Sequence, residues 1–195
     1  MSIEIELKAW VDDAASARKA LALFAVKAGD FDKDDAYWLP VPRLGPVTPA
    51  SPDPHRAALT LGSGVRIRKE GATAIINYKN KEVRSGIEVN DEREFEVSDV
   101  QAFEGLLQRL GLAVHLRKRK RGEAWRAGEI LIELAEVEGL GLFVEIEILA
   151  ESDGEAIVES ARERLLAVLD RLGVDRRRIE SRYYSEMLKE SRRLR

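Results

Sequence analysis

From Ile3 onward the chain alternates. Ile3, Ile5, Leu7 and Ala9 alternate with Glu4, Glu6, Lys8 and Trp10, the period of two that marks a β-strand with two unlike faces. The same period predicts strands at 64–69, 72–79, 86–97, 112–121, 124–126, 129–137 and 142–149, and a short one over 35–39. Between them the period lengthens. Asp12 or Asp13 is placed to cap an Ala-rich helix that carries Leu21, Phe24 and Val26 and closes at Gly29. Phe103, Leu106, Leu107 and Leu110, between Asp99 and Gly111, predict an amphipathic helix with Phe103, Leu106 and Leu107 in the core. A third helix is expected from Glu155 to Leu172 ahead of Gly173, and Ser181 opens a short last one containing Tyr184 and Leu188. All six prolines fall between Pro40 and Pro54, so that stretch reads as a long extended loop. Roughly eight strands with helices between and after them indicate one α+β domain over residues 1–195, dominated by antiparallel pairing.

Composition narrows the function. The 195 residues are 45% apolar and 34% charged, with 32 basic against 35 acidic side chains. A net charge of −3 argues against a general nucleic-acid binder, which would be basic overall. The absence of cysteine removes disulfides, zinc–thiolate sites and cysteine nucleophiles, and suits a reducing compartment. The longest apolar run, Ala20 to Val26, is far short of the roughly 20 residues a bilayer span needs. Glu4 and Glu6 stand where a signal peptide would need a basic start. The expectation is a cytoplasmic protein without a membrane partner.

Where the charge sits matters more than its sum. Glu4, Glu6 and Lys8 share one face of their strand, Arg66 and Arg68 one face of theirs, and Glu145 and Glu147 another. These are either solvent faces of a half-buried antiparallel sheet or the lining of a closed barrel with a polar lumen. The second reading accounts for like charges two residues apart, which repel unless a counterion lies between them. Carboxylate pairs would take a hard divalent cation, and arginine forks would take phosphate oxygens that the cation also touches.

The order of these landmarks is similar to that of the CYTH family, the triphosphate tunnel metalloenzymes. Glu4-Ile-Glu6-Leu-Lys8 resembles its ExExK opening, Asp35-Ala-Tyr37-Trp38 its D-x-Y-F strand, and Gly64-Val-Arg66-Ile-Arg68 its L-R-I-R strand. Asn77-Tyr78-Lys79 resembles T-Y-K, Glu94-Phe-Glu96 resembles E-x-E, and 137–147 is close to V-x-G-L-G-x-F-V-E-I-E. Ser181-Arg-Tyr183-Tyr184 resembles the terminal S-Y-x-x-L-L helix. The resemblance implies an eight-stranded antiparallel barrel open as a tunnel, with Glu4, Glu6, Glu145 and Glu147 serving Mg2+ or Mn2+. It assigns phosphate binding to Lys8, Arg66, Arg68 and Lys79, and pairs Tyr37 with Lys8 near an attacking water. The family's K-x-R pair falls in 117–121, taken as Arg119 and Arg121, with the Lys118 and Lys120 face as the competing choice. The partner is then a triphosphate-containing small molecule, with nucleic acid and membrane not expected and a homodimer left open.

Some positions depart from the family. Its aspartate ahead of Gly-Leu-Gly is Ala135 here, with Glu133, or Glu136 on a bulged strand, as substitutes. Arg84 and Arg93 compete for the arginine near E-x-E. Gly62-Ser-Gly64 lacks the third glycine of a dinucleotide fingerprint, and no GxxxxGK[ST] occurs. His55 and His115 have no metal spacing, and Tyr183 and Tyr184 are expected to pack rather than react. The activity favoured is a divalent-metal-dependent triphosphatase acting on inorganic triphosphate, thiamine triphosphate or a nucleotide, because hydrolysis asks least of the pocket. A class IV adenylate cyclase and a barrel that binds polyphosphate without turnover are the alternatives.

Overall fold

In the computed structural model the described residues are 3–41, 64–71 and 73–193, without the side chains of 79–81 and 193. The stretch 42–63, with most of the prolines and His55, and the Lys79 side chain lie outside them. Eight antiparallel strands close into a barrel in the order β1-β5-β4-β3-β2-β6-β7-β8. They are β1 Ile3–Trp10, β2 Val26–Pro40, β3 Val65–Glu70, β4 Thr73–Arg84, β5 Ile87–Glu96, β6 Leu112–Ala127, β7 Ile130–Val137 and β8 Gly141–Ala150. The ring is sealed by eight β1–β8 pairs, from Ile3 opposite Ala150 to Trp10 opposite Phe143.

The expected alternation is present, but its charged face turns inward. Ile5, Leu7, Ala9, Ile132, Leu134, Val144, Ile146 and Ile148 form the outer, apolar face of β1, β7 and β8, and all are buried. Helix α3, Glu155–Arg171, lays Val158, Ala161, Leu165, Leu166 and Leu169 over that face, and α1, Ala14–Leu21, adds Ala17 and Leu21. Each such side chain contributes about 1.5–3 kcal/mol when fully buried. A second cluster joins Ala36, Trp38, Ile67 and Ile76 to Leu107 of α2, Val100–Arg109. On β1, β7 and β8, where helices cover the outside, charge is left to the lumen face.

Both predicted caps form. Asp13 accepts from the Ala15 and Ser16 amides, and Asp99 from that of Ala102. Two expectations need correction. The first helix ends at Leu21, and Val26 instead starts β2, whose ladder with β6 runs from Val26 opposite Arg126 to Pro40 opposite Leu112. Long-range pairing overrides the local helical pattern and leaves Leu23 exposed. The 112–121 and 124–126 segments are one continuous strand. On α2, Leu107 is buried but Leu106 is 49% exposed, so it is not core.

Candidate functional site

Strand parity sends Glu4, Glu6 and Lys8 of β1, Arg66 and Arg68 of β3, and Glu145 and Glu147 of β8 into a single cavity of about 540 Å³. Tyr37 of β2 lines it too. Arg119 and Arg121 do not. They are exposed on the outer face of β6, where Arg119 makes a two-pronged contact with Asp32 at 2.8 and 2.6 Å. The lumen side of that strand carries Lys118 and Lys120, both buried. The register chosen from sequence was off by one residue because all five residues of 117–121 are basic, so charge alone could not show which parity faced inward.

Several lining groups were not singled out beforehand. Lys33, Glu88 and Glu92 all line the cavity, and each lies on the inward parity of its strand. Glu88 was detectable from Ile87 and Val89 on either side of it. Glu133 lines the cavity as well, whereas Glu136 is exposed. Ala135 pairs with Gly122 and Phe143, and a Cβ on Gly122 would come within 2.1 Å of the Leu134 carbonyl. The backbones are close at this pair, and the acid of β7 that lines the cavity is Glu133, two residues earlier. Arg84 pairs with Glu82 and Asp153, and Arg93 with Asp91, both outside the cavity lining.

The lining charges sort by sign. Going round the barrel, β7, β8, β1 and β5 are neighbours and carry Glu133, Glu145, Glu147, Glu4, Glu6, Glu88, Glu92 and Glu94. Neighbouring β3, β2 and β6 carry Arg66, Arg68, Lys33, Lys118 and Lys120. Lys8 is the base that stands in the acidic half. Asp35, fully buried, is the acid among the bases.

Ion pairs cross the seam. Lys120 is held by Glu133 at 2.6 Å and by Glu145, and Lys33 reaches Glu133 at 2.5 Å. Arg68 and Lys118 share Asp35 at 2.8 and 3.1 Å, Arg66 reaches Glu92 at 3.0 Å, and Lys8 meets Glu88 at 3.1 Å. Burial alone would push the Glu145 pKa up, but Lys120 and then Lys118 hold it well below the usual carboxylate range. Asp35 is likewise opposed by burial and carried far below its ordinary value by Lys118 and Arg68. For Lys8 burial pulls down, while Glu88, Glu6 and Glu145 together raise it. Glu145, Asp35 and Lys8 therefore stay ionised at neutral pH.

A divalent cation in this lumen would draw its ligands from the acidic half. Among the described residues no three acidic or histidine side chains stand close enough to form a finished cage. The set is nevertheless made of hard oxygens. Glu6 lies directly opposite both Glu147 and Glu88 across its two ladders, an arrangement that repels without a counterion. Glu145 likewise lies opposite Glu133, with Lys120 between them. These carboxylates fit a cation that completes its shell with ligand oxygens.

A family model described as the CYTH domain matches residues 2–184. The chain belongs to the CYTH family. A structure of the PH1012 protein from Pyrococcus horikoshii OT3 is 26% identical with a TM-score of 0.74, covering 95% of this chain and 99% of that one. The Hippeastrum adenylyl cyclase candidate HpAC1, described as having a dominant triphosphatase activity, shares the fold at 18% identity and a TM-score of 0.64, covering 97% and 96%. In sequence, the adenylate cyclase candidate MJ0240 of Methanocaldococcus jannaschii is 25% identical over 123 residues, 63% of this chain and 69% of its own length. CYTH proteins include triphosphatases and adenylate cyclases, and this chain has their tunnel.

Proposed function

We propose that this CYTH tunnel is a divalent-metal-dependent triphosphatase for inorganic triphosphate or a triphosphorylated small molecule. The observation that carries the reading is the division of one enclosed lumen into an acidic half and a basic half. Eight carboxylates against six bases line it among the described residues, so a polyanion needs added positive charge to enter. Glu4, Glu6, Glu145 and Glu147 would hold Mg2+ or Mn2+. When bound, the ion would neutralise phosphate oxygens and so favour attack at phosphorus.

The protein's own part is positioning and electrostatics. Arg66 and Arg68 present forks to phosphate oxygens, and Lys118, Lys120 and Lys8 offset charge on the group that leaves. Tyr37 and Lys8 orient a water in line with the terminal phosphorus. A new P–O bond forms, the bridging P–O bond breaks with its electron pair staying on the leaving phosphate, and one water proton passes to solvent or to a lumen carboxylate. Binding first requires that the ion pairs holding the bases be exchanged for pairs with the substrate.

Incubation with Mg2+ or Mn2+ and tripolyphosphate, thiamine triphosphate or ATP tests this. Orthophosphate release is expected. Cyclic AMP with pyrophosphate would instead make the chain a class IV adenylate cyclase, and tight binding without product a polyphosphate-binding barrel.

The same assay checks which face of β6 acts. Lys118→Ala is expected to weaken tripolyphosphate binding about 10-fold or more through loss of a charge-assisted contact. Arg119→Ala should leave KM within about twofold and cost at most about 1 kcal/mol of stability, as exposed ion pairs do. Equal effects of the two variants would contradict the inward placement of Lys118.

A further inference from the structure

The chain from Arg176 onward is fastened across the barrel end where β1 finishes. Ile179 bridges Ala9, and the Glu180 amide donates to the Lys8 carbonyl at 2.8 Å. The Trp10 indole donates to the Glu180 carboxylate at 3.2 Å, and Arg182 holds both that carboxylate and Glu190. Helix α4, Tyr184–Arg193, follows directly and buries Tyr184, Met187 and Leu188. Tyr184 meets Phe143 edge-on at 5.0 Å, and Phe143 meets Trp10 at 4.0 Å. Three aromatic rings thus close this end of the lumen.

Tyr184 is the part of that closure that meets the lining charges. The ammonium of Lys8 stands 4.7 Å from its ring centre and that of Lys118 4.9 Å, although the two lysines come from strands that are not neighbours. An aromatic face under both offsets part of their mutual repulsion. The residue is 9% exposed and lines the cavity, and its hydroxyl faces Glu145; burial and then Glu145 push the phenol pKa well above its ordinary value, so it stays a donor. The same carboxylate is held by Lys120 through Oε2. A ligand oxygen drawn to Lys8 and Lys118 comes within reach of this hydroxyl, which can exchange Glu145 for it while Lys120 keeps the carboxylate.

We infer that Tyr184 is a substrate-binding residue at the closed end: its hydroxyl donates a hydrogen bond to an oxygen of the triphosphate group drawn in by Lys8 and Lys118, and its ring keeps both ammoniums turned toward that group. This deepens the triphosphate reading above and rests on it. A neutral donor suits the position. A further carboxylate would repel the ligand, and a third ammonium would crowd the two already sharing the ring.

Tyr184→Phe removes the hydroxyl and keeps the ring. The probe is imidotriphosphate, whose P–N–P bridges resist hydrolysis, titrated by calorimetry with Mg2+ present. The variant is expected to keep a ligand-free Tm close to wild type, because the ring and its packing remain, and to bind about tenfold more weakly. Tyr184→Leu, which also loses the ring, should bind more weakly still and raise the KM for tripolyphosphate by a larger factor than it lowers kcat. A lower ligand-free Tm with unchanged affinity would mean packing alone and would overturn the assignment, as would Phe-variant binding within about twofold of wild type. Wild-type protein that fails to bind the probe would overturn the triphosphate reading itself, and the role of Tyr184 with it.

Discussion

Lys120→Met is expected to destabilise the protein by about 3–5 kcal/mol, the usual cost of removing one partner from a buried ion pair. For a chain of this size that corresponds to a Tm lower by roughly 6–20 °C. Lys120 is 3% exposed and ties Glu133 on β7 to Glu145 on β8. Methionine keeps the length of the side chain and leaves both carboxylates buried, with Lys33 still on Glu133 but no ion pair left in contact with Glu145, which keeps only Lys118 nearby and the Tyr184 hydroxyl. The sign with pH follows from the shifts. In the wild type the folded Glu145 pKa is depressed, so its contribution is present above the unfolded value of about 4.3 and lost as pH falls through the folded one. In the variant burial outweighs the smaller pull of Lys118 and Tyr184 that remains and raises that pKa, so stability is lost as pH rises through it. Denaturant melts at pH 5 and pH 8 should show the larger deficit at pH 8. A deficit of equal size at both would contradict the stranded carboxylate.

Glu6→Gln separates activity from stability. Glu6 stands opposite Glu147 on one side and Glu88 on the other, in the row where carboxylates crowd most closely. Glutamine keeps the shape and removes one of three like charges, so the ligand-free Tm should stay level or rise. Metal-dependent turnover should fall at least about 100-fold, since outer-shell changes at metal sites already cost 10–100-fold. The readout is kcat/KM for phosphate release over a range of Mg2+ concentrations. Turnover close to wild type would remove Glu6 from the cation site.

The alternation of β1, β3 and β8 was legible in the sequence, and with it Glu4, Glu6, Lys8, Arg66, Arg68, Glu145 and Glu147, because a period of two assigns a face whatever the partner strand is. Which face looked inward was not fixed by pattern alone. It depends on α3 covering Ile5, Leu7 and Ile146 from outside. The split into acidic and basic halves was out of reach, since it arises from the ring order, which makes β7 a neighbour of β8 and β3 a neighbour of β2. At 117–121 every residue is basic, and only the pairing of Lys120 with Lys33 and Val137 selects the lysines. Tyr184 read as a packing residue, and it does pack. That its ring also gathers Lys8 and Lys118 depends on where α4 docks, and no local pattern encodes that.

If unlike charges meet in one enclosed channel in order to hold a triphosphate together with a cation, binding of the two must be linked. Calorimetric titration of the wild-type protein with imidotriphosphate, with and without Mg2+, measures this directly. One ligand per chain is expected, bound far more tightly when Mg2+ is present. No binding under either condition, or binding indifferent to the cation, would contradict it.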